Sequence, residues 1–264
     1  MILRMAGDAD GTQFTLLGAE TTVDQRGLAA YYRYPDGLQS CWVRANMITS
    51  ADGGATRDGR SGGLGAAGDR ALFGTLRQLA DVILVGAGTV RTENYSGVQF
   101  DAARRAARQR AGQAEVPPIA VLTRTGRLDR ECRLFERTEV APLILTCTDS
   151  VADTRARLGD VAEVFDVSRA RPGSVDLPAV LDLLAQRGLY RVLAEGGPAI
   201  LGALIAESLL DELCVTVAPL LVGGPSARIV TGGGAVATRM RPAAPLTDAD
   251  GFLYLRYLRA DDPR

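Results

Sequence analysis

The chain has no histidine and no lysine; all 30 of its basic residues are arginine. Without histidine there is no Ser-His-Asp triad, no histidine-paired cysteine nucleophile and no histidine-ligated zinc. Without lysine there is no phosphate-binding-loop lysine, no Schiff base for pyridoxal chemistry and no Tyr-Lys dehydrogenase pair. Any catalysis falls to carboxylates, hydroxyls and arginines, beside a cofactor that carries the harder chemistry.

Other scarcities narrow the field further. The four cysteines, Cys41, Cys132, Cys147 and Cys214, are scattered without metal spacing, so free thiols are predicted and no metal site. No apolar run is long enough to span a bilayer, and the N-terminus lacks a basic-then-apolar leader, so a cytoplasmic location is expected. A formal net charge of −1 offers nothing to nucleic acid or to an anionic membrane. With 47% hydrophobic and 23% charged residues, the composition is that of a globular domain.

What is present reads as alternating strands and helices. Residues 1–40 form an extension of poor periodicity: Thr21 to Asp24 offer a cap, and Leu28 to Tyr34 an edge strand. Residues 41–264 are taken as one domain, because no linker or repeat interrupts them. Apolar strands are predicted at Cys41–Ile48, Val82–Val85, Ile119–Leu122, Leu143–Leu145, Val161–Phe165, Val192–Ala194 and Leu213–Ala218. Helices are predicted from Asp69, over 101–111, 149–158 and 177–186, and from Pro198 to about Ser208. This alternation implies a mostly parallel sheet between helical layers. Phe252–Leu258 alternates and follows without a helix, which implies antiparallel pairing at one side.

The most informative stretch is Tyr190 to Ile205, a buried strand, the pair Gly196-Gly197, then Pro198 opening an apolar helix. Paired glycines let a ligand approach the backbone, and free N–H groups at a helix start suit phosphate. The same pattern also serves as a plain tight turn. Gly86-Ala87-Gly88-Thr89 begins like a dinucleotide fingerprint but lacks its third glycine. Asp58 to Gly68 is rich in glycine, either as a solvated loop or as backbone laid against a ligand.

Four segments occur in an order that resembles a known family. They are Asn46-Met47-Ile48-Thr49-Ser50-Ala51-Asp52-Gly53, then Leu76 to Val90, then Glu195-Gly196-Gly197-Pro198, and last Leu209 to Leu213 with Ala218-Pro219 and Gly223-Gly224. Together they resemble the reductase domain of riboflavin biosynthesis over roughly residues 41–260. The resemblance implies a dihydrofolate-reductase-like three-layer α/β sandwich, with a mixed, mostly parallel sheet and antiparallel C-terminal strands. It implies NADPH-dependent reduction of a phosphoribosylamino pyrimidine, ribosyl becoming ribityl, in a homodimer. The portion before residue 41 is too short and histidine-free for the zinc deaminase often fused to this domain, so a stand-alone reductase is expected.

The resemblance also assigns residues. Thr49, Gly63, Thr89, Glu93, Arg124, Gly196, Gly197, Pro198, Ala199 and Ile200 fall at cofactor positions. Thr89 serves equally as a helix cap. Arg124 stands where a serine often meets the adenosine 2′-phosphate, and an arginine there favours NADPH unless it is simply solvated. Ser61, Arg77 and Glu195 fall at substrate positions, with Glu195 and Asp52 as catalytic candidates. Arg77 has a rival assignment as an i,i+4 ion pair with Asp81, and Asp52 as a turn residue before Gly53. Two departures stand out. Asn94-Tyr95 follows Glu93 where the family has Asp-Pro, and Gly97 to Phe100 lacks an expected substrate-side arginine. Reduction of another heterocycle such as dihydrofolate, and non-catalytic NADP binding, are the competing functions.

Overall fold

The computed structural model describes residues 13–16, 21–232 and 237–260. Gly233 and Gly234 of the last glycine cluster, and much of the N-terminal extension, lie outside the described residues. In chain order the strands are β1 (Phe14–Leu16), β2 (Thr22–Val23), β3 (Trp42–Ser50), β4 (Val82–Gly86), β5 (Ile119–Leu122), β6 (Leu143–Thr146) and β7 (Glu163–Asp166). They continue as β8 (Arg191–Ala194), β9 (Glu212–Ala218), β10 (Met240–Pro242), β11 (Leu246–Thr247) and β12 (Leu253–Arg259). The helices are α1 (Gln25–Tyr31), α2 (Ala67–Leu79), α3 (Ala87–Thr92), α4 (Ala102–Arg110), α5 (Arg133–Glu136), α6 (Thr148–Leu158), α7 (Leu177–Gln186) and α8 (Pro198–Ala206).

All the strands join one sheet in the order β2-β1-β11-β12-β9-β3-β8-β4-β5-β6-β7, with β10 on β12. From β9 to β7 every neighbouring pair is parallel, and β12 runs antiparallel to β9. Strands β4 and β5 are apolar throughout because helices cover both faces. Ile83, Val85, Ile119 and Val121 face Leu72 and Leu76 of α2; Val82, Leu84, Ala120 and Val192 face α7 and α8. This is the expected three-layer α/β sandwich with antiparallel C-terminal strands.

The N-terminal segment corrects one expectation. Leu28 to Tyr34 is not an edge strand; Gln25–Tyr31 is a helix. The Asp24 side chain accepts a hydrogen bond from the Gly27 N–H at 2.7 Å and so caps it. Leu28 and Tyr32, one turn apart, are wholly buried in the core beside α2.

Buried charge fastens this end of the sheet. Arg44 on β3 and Glu212 on β9 are register partners with fully buried side chains, their Nε and Oε1 2.9 Å apart. Arg256 of β12 reaches the same Oε1 at 2.7 Å, and Trp42 Nε1 donates to Oε2 at 3.2 Å. Tyr34 stacks on the Arg44 guanidinium, 3.9 Å from ring centre to Cζ. Burial works against the Glu212 carboxylate, but Arg44 and Arg256 outweigh it and hold its pKa below the ordinary value.

Candidate active site

The carboxyl ends of β3, β8, β4 and β5 lie side by side, and most of the site residues read from the sequence gather there. Thr49 ends β3, Glu195 and the glycine pair follow β8, Gly86 ends β4, and Arg124 follows β5. In open parallel sheets that edge is where ligands bind.

The glycine pair is held close to β4. Gly86 N–H donates to the Gly196 carbonyl at 3.0 Å, and Glu195 N–H to the Leu84 carbonyl at 3.0 Å. Gly196 has φ of +123°, a conformation that L side chains rarely adopt, and the Gly196–Gly197 peptide is cis. A Cβ on Gly197 would stand 2.8 Å from Thr89 Oγ1, and one on Gly86 3.0 Å from Ile200 Cδ1. Thr89 is not a cap, since Gly86 is the N-cap of α3 and no side chain caps it; the Thr89 hydroxyl lies against the glycine pair. Helix α8 starts immediately after, with Gly197 as its N-cap, no capping side chain, and Pro198 and exposed Ala199 in its first turn. Its free N–H groups and its dipole suit an anionic group, and the missing side chains leave room for one. The pyrophosphate of a dinucleotide fits this cradle.

Beside it stands an ionic cluster. Arg77, in the last turn of α2, donates from Nε to Glu195 Oε1 at 2.7 Å and from Nη2 to Oε2 at 2.6 Å. The fork is bidentate, the strongest geometry for such a pair. Tyr95 adds its hydroxyl to Oε2 at 2.9 Å. The Arg77 guanidinium lies 4.2 Å above the Phe73 ring and 5.5 Å from that of Tyr95. Burial disfavours the Arg77 cation, yet the Glu195 carboxylate overrides this and raises its pKa. Burial, and then the charge of Glu195, push the Tyr95 phenol well above its usual range. Behind α2, buried Arg108 donates to the Gln78, Ala80 and Ala114 carbonyls at 2.6–2.8 Å, fixing the helix end that carries Arg77. The rival pairing of Arg77 with Asp81 does not form. Asp81 instead accepts from the backbone and side chain of Arg191 and from Gln113.

The other candidates divide. Ser61, at the start of a 3-10 turn over Ser61–Gly63, donates its N–H and its hydroxyl to Glu93 Oε1 at 2.9 and 3.0 Å. Glu93 thus grips the glycine-rich loop. Gly63 packs against Arg57 in that loop. Thr49 Oγ1 donates to the Ser50 and Gly54 carbonyls. Asp52 accepts from Ser50 Oγ, from Val222 N–H at 3.2 Å and from Gly223 N–H at 2.7 Å. Ser50 and those two amides hold its carboxyl at a pKa of about 2. With these bonds Asp52 ties two loops together. Arg124 is exposed at the β5 end, and its carbonyl accepts from Cys147 Sγ and Ser150 Oγ.

Known proteins resemble this chain in sequence and in fold. The family model described as "RibD C-terminal domain" matches residues 41–254. The chain belongs to the RibD C-terminal domain family. A reductase of this family from Archaeoglobus fulgidus, named as acting on 2,5-diamino-6-ribosylamino-4(3H)-pyrimidinone 5′-phosphate, is 28% identical over 196 residues. That similarity covers 73% of this chain and 86% of the relative. A reductase of the same name from Methanothermobacter thermautotrophicus is 30% identical over 159 residues, covering 60% of this chain and 68% of the relative. The riboflavin biosynthesis protein RibD of Chlamydia pneumoniae is 27% identical, and this chain spans about half of it, 52%. Among solved structures, a pyrimidine reductase-like protein from Corynebacterium diphtheriae superposes with a TM-score of 0.75 at 28% identity, covering 84% of this chain and 93% of that one.

Tyr95 and Phe73 are the functional-site residues that sequence reasoning missed. Tyr95 was visible only as a departure from a family proline. Phe73 was visible only as part of an apolar helix face, although it lies one turn before Arg77.

Proposed function

We infer that this protein is a reductase that transfers hydride from NADPH to the ribose C1 carbon of a ribosylaminopyrimidine, so that the ribosyl group becomes ribityl. The observation that carries this reading is the adjacency of two sites along one sheet edge. A side-chain-free cradle at Gly196-Gly197 adjoins the Arg77–Glu195–Tyr95 cluster through a single residue step. Bound NADPH supplies the hydride; the chain's own residues bind, orient and shield. Gly196, Gly197, Pro198 and Ala199 would hold its pyrophosphate through backbone groups, and Thr89 would add a hydroxyl. Arg124, exposed past β5, would meet the adenosine 2′-phosphate and set the preference over NADH. Arg77 offers N–H donors to the substrate, and Glu195 keeps them aimed.

The relatives named above support the substrate class, since both archaeal enzymes carry the name of a ribosylaminopyrimidine reductase. The test is loss of absorbance at the nicotinamide band, with the 2,5-diamino pyrimidinone 5′-phosphate and its deaminated uracil counterpart offered in turn. Turnover of one of the two is expected. Inertness towards both, with NADPH bound, would overturn the reading. Equal affinity for NADPH and NADH would remove the role of Arg124.

A further inference from the structure

Helix α2 ends without a glycine. A helix leaves its last carbonyls unpaired, and a glycine just past the end usually lets the turning chain cover them. Here Ala80 passes straight into extended backbone, with ψ of 150°. Two side chains from the far end of α4 and just beyond it cover the carbonyls instead. Arg108 donates from Nη1 to the Gln78 carbonyl at 2.8 Å and to that of Ala80 at 2.6 Å. Gln113 donates from Nε2 to the Leu79 carbonyl at 3.1 Å, to that of Ala80 at 3.2 Å and to Asp81 Oδ1 at 2.9 Å. Arg108 is buried, and its hydrogen bonds go to carbonyls rather than to a carboxylate. Burial brings its pKa down to about 10 while Asp81 opposes the fall, so it is a cation at neutral pH. A cation there also meets the negative end of the helix dipole.

Arg77 stands in the turn so held, and the same stretch of chain reaches the other half of its ion pair. Tyr95 donates to Glu195 Oε2 at 2.9 Å. From Tyr95 the chain runs past Phe100, whose buried ring lies 5.8 Å from Arg108 Cζ, and through α4, which Asp101 caps. One segment, Tyr95 to Gln113, therefore grips Glu195 through a phenol and Arg77 through its helix end. We propose that Arg108 and Gln113 are positioning residues that set Arg77 against Glu195 and so act on the pyrimidine through that pair. The proposal rests on the reading of the protein as a pyrimidine reductase with Arg77 and Glu195 on its substrate side. A bidentate fork needs both N–H groups in line with both oxygens. A shift of about 1 Å in the last turn of α2 takes the fork out of line, and misplacements of that size carry large costs even when the mutated residue is remote. A cap with a purely structural role would lower stability and leave the folded protein's affinity for the pyrimidine alone.

The test uses two variants. Arg108→Met keeps the buried stem without its donors, and Gln113→Leu removes the three Gln113 bonds while leaving Arg108 in place. Each is expected to raise KM for the pyrimidine by about tenfold, with kcat and the dissociation constant of NADPH within about twofold of the parent protein. Where Arg108→Met does not fold, Gln113→Leu decides. An unchanged KM in folded Gln113→Leu would overturn the proposal, and so would equal losses of affinity for pyrimidine and NADPH. A second measurement does not depend on turnover. The Arg77 Nε–H resonance in nitrogen-15 spectra, assigned by its absence in Arg77→Gln, is expected to move in Gln113→Leu. A resonance that stays fixed there would overturn the proposal. Absence of turnover in the parent protein, with NADPH bound, would instead remove the proposed function, and the resonance would still report whether Gln113 positions Arg77.

Discussion

The sheet carries two buried arginine–glutamate clusters, one at each end of its parallel strands. Glu212, at the amino end, is fully buried and meets Arg44, Arg256 and Trp42. Glu195, at the carboxyl end, meets Arg77 and Tyr95, and the arginine of that cluster is partly exposed. The chemistry is nearly the same, yet the consequences differ. At the amino end every partner belongs to a strand of the sheet, so the ions join β3, β9 and β12. At the carboxyl end the partners come from a helix end and a loop, and the next residue is the glycine on which a ligand would rest. Position at the strand ends, rather than residue type, separates the structural cluster from the one proposed to be functional.

The largest expected effect falls on the amino-end cluster. Glu212→Ala leaves two buried guanidinium groups without their anion and should cost about 3–5 kcal/mol of stability, read by urea denaturation. Acid should act in the same direction. The folded pKa of Glu212 lies below its ordinary value of 4.5, so its contribution is complete above that pH. It is lost as pH falls through the lower folded value, and a melting temperature that is flat across that window would contradict this. At the carboxyl end the order reverses. Glu195→Gln should cost less stability than Glu212→Ala, because the Arg77 side chain is partly exposed where that of Arg44 is fully buried, but should lower turnover by about a hundredfold through loss of aim. A denaturation midpoint that falls as far in Glu195→Gln as in Glu212→Ala would erase the distinction between the clusters.

A smaller effect is expected in the cradle. Gly197→Ala places a methyl 2.8 Å from Thr89 Oγ1 and should weaken NADPH binding by about tenfold, roughly 1.4 kcal/mol, measured by calorimetry. Pairing it with Thr89→Ser, which keeps the hydroxyl that the methyl would meet, should not relieve the defect. The smallest effect is expected at Asp52, an exposed loop tie: Asp52→Asn should leave kcat within about twofold, whereas a loss comparable to that of Glu195→Gln would restore it as a catalytic group.

Much of the fold was legible because the central strands are short apolar runs bounded by turn residues. Ile119–Leu122 and the helix Leu177–Gln186 coincide with their predicted bounds. The first helix was not legible, since a seven-residue element with one cap and one buried residue, Leu28, scarcely registers as periodic. The glycine cradle was readable from Gly196-Gly197-Pro198 because local backbone chemistry dictates it. The ionic cluster was not readable from spacing. Arg77 and Glu195 are 118 residues apart, while the i,i+4 rule pointed to Asp81, which Arg191 claims instead. Only the resemblance to relatives brought Arg77 and Glu195 to one site, and no relative-based assignment covered Tyr95, because the family has proline there. Tertiary contacts between distant segments are what a local pattern cannot encode.

The contrast between the two clusters stands most directly on the turnover of Glu195→Gln. With NADPH saturating and the ribosylaminopyrimidine as substrate, turnover roughly a hundredfold below that of the parent protein is expected, with NADPH affinity unchanged. Turnover equal to that of the parent would contradict it.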